Sequence, residues 1–152
     1  VRGTLRSALR KNLGTPADWA GLPPSVANME YYGQPLPTRL PGTDVLDAGE
    51  LDFYVRRFER TGFTPSINWY RNISRNWKAG LGMDQTIRVP SLMISAANDV
   101  VLRPSMAVGM EAHVPDLETH VIENCWHWTP EEKPAEVNRL MTSWLQRRFA
   151  PR

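Results

Sequence analysis

The chain of 152 residues is 41% hydrophobic and 22% charged, a globular balance that excludes a disordered tail, a collagen-like repeat and a solvating charge block. Its 18 basic and 16 acidic residues leave a net charge of +2 with no long run of one sign, so nothing calls for a polyanionic partner and bulk nucleic-acid binding is not supported. One cysteine, Cys125, excludes an intrachain disulfide framework and fits a reducing, cytoplasmic setting, and no apolar stretch approaches the roughly 20 residues of a membrane span.

Leu5, Leu9 and Leu13 fall four apart with Arg2, Arg6 and Arg10 between them, which predicts a short basic amphipathic helix over residues 1–12, stopped by Gly14. Residues 15–47 carry Pro16, Pro23, Pro24, Pro35, Pro37 and Pro41 and read as a long excursion loop of the kind that lines or covers a site. Asp47 followed by Glu50 resembles a capping box, and Leu51, Tyr54, Val55 and Phe58 then keep helical spacing until Gly62. After Pro65, the repeat of Trp69, Ile73 and Trp77 predicts one further helix to about residue 78, with an aromatic face and a polar stripe of Asn68, Asn72 and Asn76.

The texture changes at Val89. Leu92, Met93 and Ile94 form a short apolar run that reads as a buried strand. Met106, Met110 and Val114 predict a helix from Pro104 to Pro115, residues 119–122 a second strand, and Val137, Leu140, Met141, Trp144 and Leu145 a long last helix with Pro134 in its first turn. Glu131, Glu132 and Glu136 at its start and Arg147 and Arg148 at its end would complement its dipole. The second half is therefore α/β, strand-helix-strand-helix, and a right-handed crossover would make the strands parallel.

Ligands collect beyond the carboxyl ends of such strands, where Asp99 follows the first and His127 the second. A carboxylate holding one imidazole nitrogen leaves the other free to take a proton from water or a nucleophile. Two ordinary readings stand beside this one: an Asp after a strand often caps a turn, and an aromatic-flanked His is often a satisfied buried one. Tyr70 could donate a hydrogen bond to an oxygen gaining charge, or could pack with its tip exposed. Trp69, Trp126 and Trp128 are candidate pocket walls or core. A metal reading would use Cys125 and His127, with His120 or Asp99, and no second clustered pair completes it. Arg71, Arg75 and Lys78 beside the tryptophans read as a solvated helix face. There is no glycine-rich phosphate loop and no GxSxG elbow.

The stretch ELDFYVRRFERTGFTPSINWYRNISR, residues 50–75, resembles the lid of soluble epoxide hydrolases of the α/β-hydrolase superfamily. VPSLMISAANDVVL resembles that family's strand and acid loop, and IENCWHWTPEEKPAEVNRLMTSWL its strand, histidine loop and last helix. The resemblance implies the carboxyl-terminal part of an α/β-hydrolase fold, with residues 1–85 as the second half of the helical lid and residues 86–152 as the end of the core. It implies Asp99 as the acid, His127 as the base and Tyr70 as one of two lid tyrosines. The reaction implied opens an epoxide to a hydroxyalkyl ester on an aspartate and then hydrolyses the ester to a diol, with no metal or cofactor. The nucleophile elbow, the HGxP segment and the other tyrosine match nothing here, so the chain alone is expected to be inactive, to need the amino-terminal half of the hydrolase as a partner, and to associate through exposed faces, a homo-oligomer being one outcome. Trp126 stands where the family has Gly before the histidine, and its ring would fill space beside the base or push the loop outward. A haloalkane dehalogenase or esterase, and a non-catalytic binding module, are the alternatives.

Overall fold

In the computed structural model, which describes residues 1–13 and 42–149, Leu5 and Leu9 are buried as their spacing requires. The first helix is nevertheless shorter than expected. α1 (Arg2–Ala8) gives way at Leu9, and Arg10–Lys11 continue as β1, paired antiparallel with β2 (Thr43–Asp44). Arg6 Nη2, inside α1, and Arg10 Nη1, inside β1, reach the two oxygens of Asp44 at 2.8 and 2.7 Å and so fasten β2 to both elements. Gly14 and residues 15–41 of the expected loop lie outside the described residues, and the loop's last portion supplies β2.

α2 (Ala48–Thr61) starts as its sequence dictates. Asp47 Oδ1 accepts from Glu50 N and Glu50 Oε2 accepts from Asp47 N, both at 2.8 Å, which satisfies two of the amides that helix geometry leaves unpaired. Leu51 and Val55 face Leu5 and Leu9 to form a small core, on which Tyr54, Phe58, Phe63 and Trp128 pack. Gly62, at φ 65°, ends the helix in a conformation that favours glycine.

The expected single helix from Pro65 to residue 78 is two: α3 (Thr64–Arg71) and α4 (Ile73–Gly80), broken at Asn72. Asn72 Nδ2 donates to Asn68 O at 2.8 Å, a local bond that competes with the helical ladder. Trp69, Tyr70, Ile73 and Trp77 are all exposed, Trp69 by 78%.

β3 (Ser91–Ala96) and β4 (Leu117–Ile122) pair in parallel from Ser91 opposite Leu117 to Ala96 opposite Ile122. Between them the expected helix is absent. Two short 3₁₀ turns, Pro104–Ala107 and Met110–Ala112, flank Gly109 at φ 91°, and of the three periodic residues Met106 is exposed while Val114 is buried. The last helix is also divided. α5 (Thr129–Glu132) is separate from α6 (Pro134–Phe149), so Glu131 and Glu132 do not belong to the first turn of α6. Arg147 and Arg148 bond Glu118 and Asp116 and thereby tie α6 to β4 and the turn before it.

Val137 and Leu140 of α6 pack on Ile94, Ala96, Ile122 and Cys125. Val121, pointing the other way from Ile122, is 50% exposed. A parallel sheet ordinarily has both faces covered, and among the described residues this one has a helix on the face of Ile122. No helix among the described residues is long and apolar enough to cross a membrane.

Candidate active site

The two strands end side by side, and the loops that follow are stitched together by backbone. Ala97 N donates to Ile122 O and Asn98 N to Cys125 O, each at 2.9 Å. Asn124 makes the turn between them at φ 49°, a left-handed conformation that Asn tolerates better than most residues. The turn carries the chain past buried Cys125 to His127, while Asp99 emerges from β3 on the neighbouring loop.

There Asp99 Oδ2 lies 3.0 Å from His127 Nδ1, although 28 residues separate them. Asp99 is 7% exposed, and its other oxygen, Oδ1, accepts from Val101 N at 2.7 Å and Leu102 N at 2.9 Å. One carboxylate thus caps its own loop and faces the imidazole. The two sequence readings of Asp99 are not rivals, since each uses a different oxygen. Burial opposes its ionisation, but the amides of Leu102 and Val101 together with His127 outweigh that and hold the carboxyl below its ordinary value of 3.8. His127 Nε2 makes no hydrogen bond to another described residue, and the side chain is 31% exposed.

A carboxyl held below its unfolded value contributes stability that is complete above about pH 5 and is lost as pH falls through the unfolded and then the lowered value. Asn at position 99 keeps an oxygen for the two loop amides and removes the charge. Urea denaturation across acid pH is therefore expected to show wild type losing its advantage over Asp99→Asn below about pH 4, with a constant gap above about pH 5. A gap independent of pH overturns this.

The loop that carries the histidine is held at several points. Trp126 N and Trp128 N, on either side of His127, donate to Glu132 Oε2 and Oε1 at 3.0 and 3.1 Å. Trp128 Nε1 donates to Ala8 O at 2.9 Å, its ring packs on the Leu5, Leu9, Leu51 and Val55 cluster, and it meets the imidazole edge-on at 5.3 Å. Trp128 therefore ties the loop to α1. Trp126 is half-buried and is not at positive φ, so the backbone here makes no demand for glycine, and the loop stays within reach of Asp99.

Of the residues singled out in the sequence, Asp99, His127, Trp126 and Trp128 come together, whereas Tyr70 and Trp69 stand exposed on α3. The Tyr70 hydroxyl makes no hydrogen bond to a described residue. Sequence reasoning missed the use of Glu132, assigned there to a helix dipole. Among the described residues no group of three or more His, Cys, Asp or Glu is placed to hold a metal. His120 Nε2 instead sits 2.8 Å from Glu118 Oε1, and His120 with Arg147 holds the Glu118 carboxyl below its ordinary range. Burial, reinforced by the charge of Glu132, pushes the Cys125 thiol up, which disfavours the thiolate a metal would need.

A parallel strand pair whose carboxyl ends bring an acid to an imidazole is an arrangement suited to hydrolytic chemistry. No protein-family model matches the chain. Among curated proteins it is 49% identical to bifunctional epoxide hydrolase 2 of Mus musculus over 98 residues, which is 64% of this chain and 18% of the mouse protein. It is 37% identical to epoxide hydrolase A of Mycobacterium tuberculosis over 115 residues, 73% of this chain and 34% of that protein. The crystal structure of epoxide hydrolase A from Mycobacterium thermoresistibile superposes with a TM-score of 0.72 at 31% identity, over 95% of this chain and 46% of that one. The chain is homologous to a portion of the epoxide hydrolases, and it spans 18% to 46% of the length of these relatives.

Proposed function

We propose that this chain carries the water-activating and oxygen-binding half of an epoxide hydrolase, with residues 1–85 as lid and residues 86–152 as core. The observation that carries the reading is the 3.0 Å approach of His127 Nδ1 to Asp99 Oδ2 at the ends of parallel strands. In the first step a carboxylate attacks a ring carbon, the C–O bond breaks, and the released oxygen takes a proton from Tyr70, leaving a hydroxyalkyl ester. In the second, His127 Nε2 takes a proton from water as the water oxygen adds to the ester carbonyl; the acyl–oxygen bond then breaks, the leaving alkoxide takes that proton back from His127 to give the vicinal diol, and the carboxyl left on the enzyme returns a proton to the Tyr70 phenolate. Asp99 fixes Nδ1 as the protonated nitrogen and so leaves Nε2 as the base.

The two carboxylates that touch this loop are both engaged, Asp99 with the loop amides and imidazole and Glu132 with the amides flanking it. Neither is free to attack an epoxide. The nucleophile is therefore not assigned to this loop, and because the chain spans 18% to 46% of the relatives it matches, the 152-residue chain alone is expected to form no diol.

Rapid-quench mass spectrometry of the full-length gene product tests the reading. An epoxide is expected to add its mass to the protein transiently and to emerge as a diol, and Tyr70→Phe to slow ester formation by about 10- to 100-fold, near the lower range for an oxyanion donor because a second phenol remains. Turnover of a haloalkane or a carboxylic ester, with none of the epoxide, would overturn it in favour of a dehalogenase or esterase.

A further inference from the structure

We infer that Glu132 is a positioning residue for His127, which rests on the reading of His127 as the base. Its carboxylate spans the loop, taking Trp126 N on one oxygen and Trp128 N on the other, so both peptides adjoining His127 are pinned by one side chain. Those amides lie in neither a strand nor a helix ladder and have no regular backbone partner. An amide–carboxylate bond is charge-assisted and stronger than a neutral one, and two on one group fix orientation as well as distance.

The placement follows from α5. Glu131 N and Glu132 N both donate to Trp128 O, and this single turn folds the Glu132 side chain back over the residues before it. Asp99 constrains the imidazole only at Nδ1, at one distance of 3.0 Å. A ring held by that contact alone could still swing with its backbone. Glu132 removes that freedom from below, and Trp128, bonded to Ala8 O, limits it from the side. A base displaced by about 1 Å can lose up to about 100-fold in rate, so the backbone clamp is part of what aims Nε2.

The substitution that isolates the clamp is Glu132→Gln, which keeps one acceptor and turns an NH₂ toward the other amide. Proton NMR of the 152-residue chain reads the Nδ1–H resonance shared with Asp99, and rapid-quench kinetics of the full-length gene product reads each chemical step. Glu132→Gln is expected to broaden or abolish the resonance and to slow ester hydrolysis by about 10- to 100-fold while ester formation is unchanged. Glu131→Gln, one residue away and exposed, is expected to change neither. An unaltered resonance together with unaltered ester hydrolysis in Glu132→Gln overturns the inference.

Loss of the resonance in Glu132→Gln, alongside full turnover in His127→Gln, would sustain the clamp and refute His127 as the base. Should Glu132→Gln fail to fold, hydrogen exchange in the unmutated chain decides. The Trp126 and Trp128 amides are expected to be protected by at least about 10-fold over other loop amides, and unprotected exchange at both overturns the clamp.

Discussion

His127→Gln in the full-length gene product is expected to stop the reaction halfway, with the epoxide bound covalently and the diol absent. General-base assistance contributes about 10²- to 10⁴-fold, and Gln preserves bulk without a basic nitrogen, so diol release should fall by that factor. In the proposed mechanism ester formation does not use the imidazole, so it should continue. Intact-mass spectrometry then finds a stable adduct of one epoxide per chain in the variant and a transient one in the wild type. Asp99 would remain capped by Val101 N and Leu102 N, so its loop should survive the substitution. An adduct that clears as fast in His127→Gln as in wild type would remove the imidazole from the chemistry.

The second large effect concerns stability. Ile122 is fully buried where β4 meets α6, against Ala96, Cys125 and Val137. Truncating such a residue removes its transfer free energy and leaves a cavity, so Ile122→Ala is expected to cost about 2–5 kcal/mol. Its neighbour Val121 is 50% exposed on the opposite face, and Val121→Ala should cost under about 1 kcal/mol. Urea denaturation of the 152-residue chain compares the two, and equal costs would contradict the layer described here. Ile122 O also receives Ala97 N, so a cavity at this point loosens the base of both loops that bear the acid and the imidazole.

The sequence was legible where local chemistry and burial agree. The Asp47–Glu50 box forms with both bonds, Leu51 and Val55 lie inward, and the apolar runs around Leu92 and Ile122 become a parallel pair. Asp99 and His127 were legible through topology, because parallel strands carry residues far apart in sequence to one rim. Periodicity misled where a single residue overruled it. Asn72 bonds back to Asn68 O and divides a helix whose four-residue repeat runs through the break, and Gly109 at positive φ turns an expected helix into two 3₁₀ turns. Glu132 was hidden for a related reason. With α5 merged into α6 it reads as a charge at a helix start, and only the separate short turn shows it reaching back to the Trp126 and Trp128 amides.

The bond from Trp128 Nε1 to Ala8 O joins residues 120 positions apart. A contact of such span cannot form during synthesis until Trp128 has emerged, 120 positions after Ala8, and it makes the molecule's contacts less local. The imidazole's neighbour is thus fastened only where α1 has been brought to it, so His127 owes part of its surroundings to a segment far away in sequence.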